Sequence, residues 1–166
     1  MKREIVKEKI ERVLYECDRH LLRIGEAVED LVEFMPLDEV KYISLSKNQV
    51  QALDQFLFRF AKLQDAVGQK LFKHILILQE DDALLIQNMP FIDILNRLER
   101  LNILEVKTWG RLRDIRNELA HNYDDEPQEM AEAINQIYQE RDNLMDIYNR
   151  AKEYYKRLNR NMVNSC

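Results

Sequence analysis

Leu14, Cys17, Leu21, Ile24, Val28, Leu31 and Met35 alternate steps of three and four residues, a period that only an α-helix turns into one continuous apolar face. The spacing predicts a first helix from about Arg3 to Met35, stopped by Pro36, whose ring cannot continue a helix. Such a seam suits a coiled-coil dimer or the buried edge of a helical bundle, which shares the same packing. The bundle is the preferred reading. Leu37 to Leu45 shows no period and reads as a connector.

Further stripes follow. Ser46 and Gln49 have the spacing of a capping box. From there Val50, Leu53, Phe56, Leu57, Phe60, Leu63, Val67, Leu71, Ile75 and Leu78 predict a second long helix. Gly68 lies in its middle, where glycine costs about 1 kcal/mol relative to alanine, so close approach of another backbone is expected there. Residues 79–87 read as a loop with a helical turn. Asn88 and Pro90 open a third helix, with Phe91, Ile94, Leu95, Leu98 and Leu101 facing inward. A fourth carries Trp109, Leu112, Ile115 and Leu119 and ends near Asn122. Asp125, Pro127 and Gln128 signal the start of the last, with Asp125 as an acidic N-cap.

Composition agrees with this reading. Three Gly and three Pro in 166 residues are too few for the turns of a sandwich or barrel. The expectation is an all-α fold, an antiparallel bundle of about five helices forming a single domain over residues 1–166. Cys17 falls in the seam, where a thiol acts as a small hydrophobe, and Cys166 is the last residue, so a reducing compartment is expected. The start, MKREIVKEKIERV, carries charges through the span where a signal peptide is apolar, and no run is long enough for a membrane span. A cytoplasmic protein without membrane association is expected.

The charges exclude several functions. A net charge of −5 argues against a protein that coats nucleic acid non-specifically. A local positive strip nevertheless runs from Arg97 to Arg116, with Arg100, Lys107, Arg111 and Arg113 between them, while Asp124 to Glu132 carries only acids. His20, His74 and His121 lie far apart, and none has a second His or Cys at ligand spacing, so no metal site is expected. Glu80, Asp81 and Asp82 read as a solvated loop. With three glycines, neither a phosphate loop nor a dinucleotide fingerprint can be written, and no cofactor is expected.

One constellation carries chemistry: Arg116-Asn117-Glu118-Leu119-Ala120-His121-Asn122-Tyr123. Asn117 and His121 are four apart and stack on one helix face; Arg116 and Tyr123, seven apart, align on the adjacent one. Arg binds phosphate as a permanent cation, and His exchanges a proton near neutral pH. Together they suit binding or cutting a phosphodiester. Chance spacing, with a cation favoured at a helix C-terminus, explains Arg116 and His121 equally well on spacing alone.

The whole octet resembles the signature of HepT-type toxins in the HEPN superfamily: Arg, four residues, His, one residue, Tyr, with the common Arg-Asn start. FRFAKLQDAVGQKLF (Phe58 to Phe72) and PFIDILNRLERL (Pro90 to Leu101) are similar to segments of longer HEPN proteins. The likeness spans about Leu53 to Glu126, and the first 45 residues lie outside it. It implies a bundle that dimerises so that two motif copies meet in one cleft and cut RNA without a metal. In that scheme His121 is general acid or base, Arg116 holds the phosphate, and Asn117 orients the phosphate or His121. Tyr123 matches the tyrosine that a partner nucleotidyltransferase antitoxin of the MNT type modifies with AMP, an inhibitory switch of a type VII-like toxin–antitoxin pair. RNA, that antitoxin and a second copy of the chain are the implied partners.

Two side chains stay open. Asp65 shares a face with Phe58, Ala61, Gly68 and Phe72, so it either points into the cleft to position Arg116 or is a surface carboxylate pairing with Lys62 or Gln69, the surface reading being favoured because most carboxylates remain exposed. Trp109 either stacks a base or anchors the core, the period of Leu112 and Leu119 favouring the core. Two other functions compete with the nuclease: a non-catalytic helical module serving as partner or substrate of the transferase, and a scaffold that self-associates through the Leu14 to Met35 seam.

Overall fold

A computed structural model describes residues 2–121 and 125–165, the side chain of His121 lying outside that set. The fold is all-helical, with no strand among the described residues. Helix α1 (Arg3–Leu31) buries Leu14, Cys17, Ile24 and Leu31, as the seam requires, and also His20 and Ala27. It ends at Leu31, one turn earlier than the apolar period suggests, and the cis Met35-Pro36 peptide follows. Asn135 holds the chain beyond: its Oδ1 accepts from the Leu37 N–H at 2.7 Å, and its Nδ2 donates to the Leu37 carbonyl at 2.8 Å. The connector is a short helix, α2 (Glu39–Ile43), rather than irregular chain, because the Asp38 carboxylate caps the Lys41 N–H at 2.7 Å.

The capping box at Ser46 is present, with both reciprocal bonds made to Gln49. It opens α3 (Lys47–Asp65), which passes through a π-helical segment (Ala66–Leu71) into α4 (Phe72–Glu80) as one unbroken helical rod. The approach expected at Gly68 is made by a side chain, not a backbone: a Cβ there would stand 2.7 Å from Cζ2 of Trp109. Asp81, in the left-handed conformation at φ 55°, ends α4, and Asp82 caps α5 (Ala83–Gln87) by accepting from the Leu85 N–H at 3.0 Å. Glu80 is ion-paired with Arg97. Asp81 and Asp82 form the exposed, non-helical link expected of the acidic run, while Glu80 belongs to α4.

Pro90 precedes α6 (Phe91–Arg100), which buries Ile94, Leu95 and Leu98 and leaves Phe91 partly exposed. Glu99 then caps the next helix, α7 (Val106–His121), by accepting from the Val106 N–H at 3.0 Å. Helix α8 (Pro127–Asn164) has Glu126, not Asp125, at its N-cap and no side-chain cap bond. Pro127 decides that boundary: it occupies the first helical position, where its missing N–H costs nothing, so the cap is the residue before it. Five long helical runs, counting the Lys47–Glu80 rod as one, and the short α2 and α5 make up the described bundle.

Packing is antiparallel. Tyr155 bonds Glu11 while Tyr148 bonds Asp18, so α8 runs against α1. Lys70 meets Glu16 while Arg59 meets His20, so the rod also runs against α1. One buried cluster includes side chains from α1, the rod, α5, α6, α7 and α8. The α1 seam faces this core rather than a second chain, which removes the scaffold reading of Leu14 to Met35. Cys17 is fully buried, and burial pushes its thiol up to about 12. Tyr148, the largest fully buried side chain among the described residues, donates its hydroxyl proton to Asp18 at 2.6 Å, with the Leu14 carbonyl 3.1 Å from the same oxygen. No described helix is long and apolar enough to cross a membrane.

Candidate functional site

The site is built where α3 passes into the π segment. Asp65 is the last residue of α3. A π turn inserts one extra residue into a helix and shifts the faces on either side of it, an irregularity frequent at functional sites. Here it presents the bare backbone of Gly68 to Trp109. The Trp109 ring also packs edge-on against Phe72 at 5.0 Å between centroids and against Phe91 at 6.4 Å. With only 5% of its surface exposed, Trp109 is a core anchor, and the base-stacking reading is withdrawn. Through it α7, which packs chiefly against α8, also touches the rod.

Arg116 sits seven residues after Trp109, two turns along the same face of α7. Its guanidinium reaches Asp65 with two hydrogen bonds, 2.5 Å from Nη1 to Oδ1 and 3.2 Å from Nη2 to Oδ2. Asp65 therefore pairs across helices with Arg116, rather than along its own helix with Lys62 or Gln69. The side chains of Arg116 and Asp65 keep 36% and 34% of their surface exposed, so the pair is held yet open to solvent. Of the five N–H donors of a guanidinium, two are committed to Asp65.

Asn117 is exposed on the next position of α7. The backbone of His121 closes α7. By helical register Arg116 and His121 stand about 140° apart around the axis and about 7.5 Å along it, so these two positions do not share one face of α7. The His121 side chain, Asn122 and Tyr123 lie outside the described residues, and with them the modification site expected at Tyr123. Leu112, one turn before Arg116, is buried, and Ile115 and Leu119 pack partly buried against the core.

The basic strip is largely paired within the chain. Arg97 meets Glu80, Arg111 meets Glu140 at 2.9 Å, Arg113 meets Asp114 at 3.4 Å, and Arg116 meets Asp65. Its positive field is accordingly weaker than the sequence suggests.

The other histidines belong to packing. His74 donates from Nδ1 to the Lys70 carbonyl at 2.7 Å, and burial holds its pKa below the usual value. His20 lies beneath Arg59, whose Nη1 is 3.1 Å from Nδ1, and burial lowers its pKa too. Sequence reasoning treated His20 only as a possible metal ligand; its place between the Cys17 and Leu21 seam positions was the signal that it turns inward. Among the described residues no three His, Cys, Asp or Glu side chains cluster as metal ligands. No family model, no curated protein and no solved structure matches this chain.

Proposed function

We propose that this chain is an endoribonuclease of the HepT type, the toxin of a HEPN/MNT pair, acting in the cytoplasm without a metal. Arg116 and His121 would work in a cleft shared by two copies. The observation that carries this reading is the Asp65–Arg116 pair: a guanidinium about one-third exposed and held at a defined place, with three N–H donors not committed to Asp65, suits an incoming phosphate. The wide angle between Arg116 and His121 on one helix favours a second copy bringing its own motif alongside.

In the reaction an RNA 2′-hydroxyl gives its proton to a base and attacks the adjacent phosphorus. The bond from phosphorus to the 5′-oxygen breaks, that oxygen takes a proton, and a 2′,3′-cyclic phosphate and a 5′-hydroxyl remain. His121 serves as base or acid. Arg116 stabilises the added negative charge of the transition state, and Asn117 orients the phosphate or the imidazole. AMP added to Tyr123 by a partner nucleotidyltransferase places an anion beside the cleft and repels RNA.

The test is incubation of the purified protein with total RNA in EDTA, beside Arg116→Ala and His121→Ala. Wild type should cleave and both variants should lose at least about a hundredfold, the usual scale of a positioned acid or base. Undiminished cleavage by both variants would exclude the mechanism. The second reading, a non-catalytic partner of the transferase, is favoured by the internal pairing of four strip arginines, and it predicts no cleavage by wild type. Mass spectrometry after co-expression with such a transferase should find AMP on Tyr123; an unmodified tyrosine removes the switch.

A further inference from the structure

Helix α3 spends its aromatic residues unevenly. Phe56 and Phe60 are buried, whereas Phe58 leaves 54% of its surface exposed. The ring of Phe58 is flanked by two cations: the Arg59 guanidinium carbon and the Lys62 ammonium each lie 5.6 Å from its centroid. Arg59 is held from behind by His20, which is 8% exposed, across 3.1 Å. Burial keeps that imidazole neutral at pH 7, so its Nδ1 can accept an N–H from Arg59. Glu16, the nearby acid, faces His20 at 3.5 Å and is paired with Lys70 at 3.0 Å. An exposed aromatic between two cations, one of them anchored by a buried side chain, fits a strand that carries flat bases on an anionic backbone.

The position fits as well. Phe58, Ala61 and Asp65 follow one another at steps of three and four along one face of α3. Phe58 therefore lies about 10 Å, two turns, before the carboxylate that holds Arg116. Exposed Asp54, one turn before Phe58, makes the opposite direction unfavourable for a polyanion. The path runs from Phe58 toward Arg116.

We propose that Phe58, with Arg59 and Lys62, is the stacking subsite for an unpaired base of single-stranded RNA whose backbone continues to Arg116. This rests on the nuclease reading and adds a substrate class to it: single-stranded rather than duplex RNA.

The test is fluorescence anisotropy with the full chain in a His121→Ala background, so that the probe stays intact. The probes are a labelled single-stranded oligoribonucleotide, the same strand made abasic, and a duplex. Phe58→Ala should weaken binding of the intact strand roughly ten- to a hundredfold, the scale of one lost base stack. Phe58→Trp should keep it, and the abasic strand should not distinguish the variants. Lys62→Gln should lower the slope of log K against log salt by about 0.7, one phosphate contact on a single strand. Equal binding by Phe58→Ala and its parent, with Arg116→Ala weakened, overturns the subsite and leaves the nuclease reading standing. No binding of any probe overturns both. A Phe58→Ala variant that dissociates into monomers in sedimentation, with its affinity unchanged, identifies this face as a contact between copies and also overturns the subsite.

Discussion

Asp65 and Arg116 are 51 residues apart in the chain, and two hydrogen bonds join their carboxylate and guanidinium at the junction of α3 with the π segment. Because both side chains remain about one-third exposed, water screens the pair, and its contribution to stability is about 1 kcal/mol or less. Its larger effect is on position. Asp65→Asn is expected to shift the urea midpoint only slightly while lowering RNA cleavage about tenfold, a loss on the scale of a misplaced catalytic group. A double-mutant cycle with Arg116→Ala measures the coupling directly. Cleavage by Asp65→Asn at the wild-type rate would show that Arg116 needs no such support.

The notch at Gly68 makes a prediction of opposite sign at different glycines. A Cβ at Gly68 meets Trp109 at 2.7 Å, whereas one at Gly25 or Gly110 meets nothing within 4 Å. Gly68→Ala should therefore destabilise by about 1–3 kcal/mol through overpacking. Gly25→Ala and Gly110→Ala should each stabilise by about 0.5–1 kcal/mol through helix propensity. Thermal melts read these changes at about 2–4 °C per kcal/mol in a chain of this length. A Gly68→Ala melt matching wild type would mean that Trp109 can move aside.

Stability should depend on pH through the two described histidines. Burial lowers the pKa of both His20 and His74, so the unfolded chain binds protons more readily than the folded one as pH falls. The stability of the neutral, buried forms is fully present above about 6.5, the ordinary His value, and is lost as pH falls from there toward the folded values. His20 faces Glu16 from α1 and Arg59 and Lys62 from α3; the acid opposes the lowering and the cations support it. Urea unfolding at pH 7.5 and 5.5 should give a lower midpoint at 5.5, and the His20→Gln, His74→Gln double variant should show a smaller difference. Equal pH dependence in the double variant would assign the effect to other groups.

The capping box offers a local test. Ser46→Ala removes the acceptor of the Gln49 N–H and should cost about 1 kcal/mol, read as a lower urea midpoint at unchanged m-value. Ser46→Asp should restore most of it, since aspartate caps as well as serine does. Loss in both variants would place the role of Ser46 elsewhere than in capping.

Helix class and helix starts were legible in the residues themselves. The three-and-four spacing from Leu14 to Leu31, the Ser46 and Gln49 pair, and Pro127 act through neighbours within one or two turns, and each is present as expected. The short helix α2 escaped because a single turn shows no period, and the capping aspartate Asp38 was its only signal; the helical turn expected within residues 79–87 is α5, capped by Asp82.

The site divides along the same physical line. Sequence alone placed Arg116, Asn117 and His121 on one helix and set Asp65 among apolar neighbours, because helical register depends only on residue number. Tertiary structure decided the partner of Asp65, the burial of Trp109 and the exposure of Phe58 beside Arg59 and Lys62. Those facts depend on how two helices meet. Here that meeting is set by one indole ring filling the space over Gly68, a contact between residues 41 positions apart (109 − 68) that no local spacing encodes.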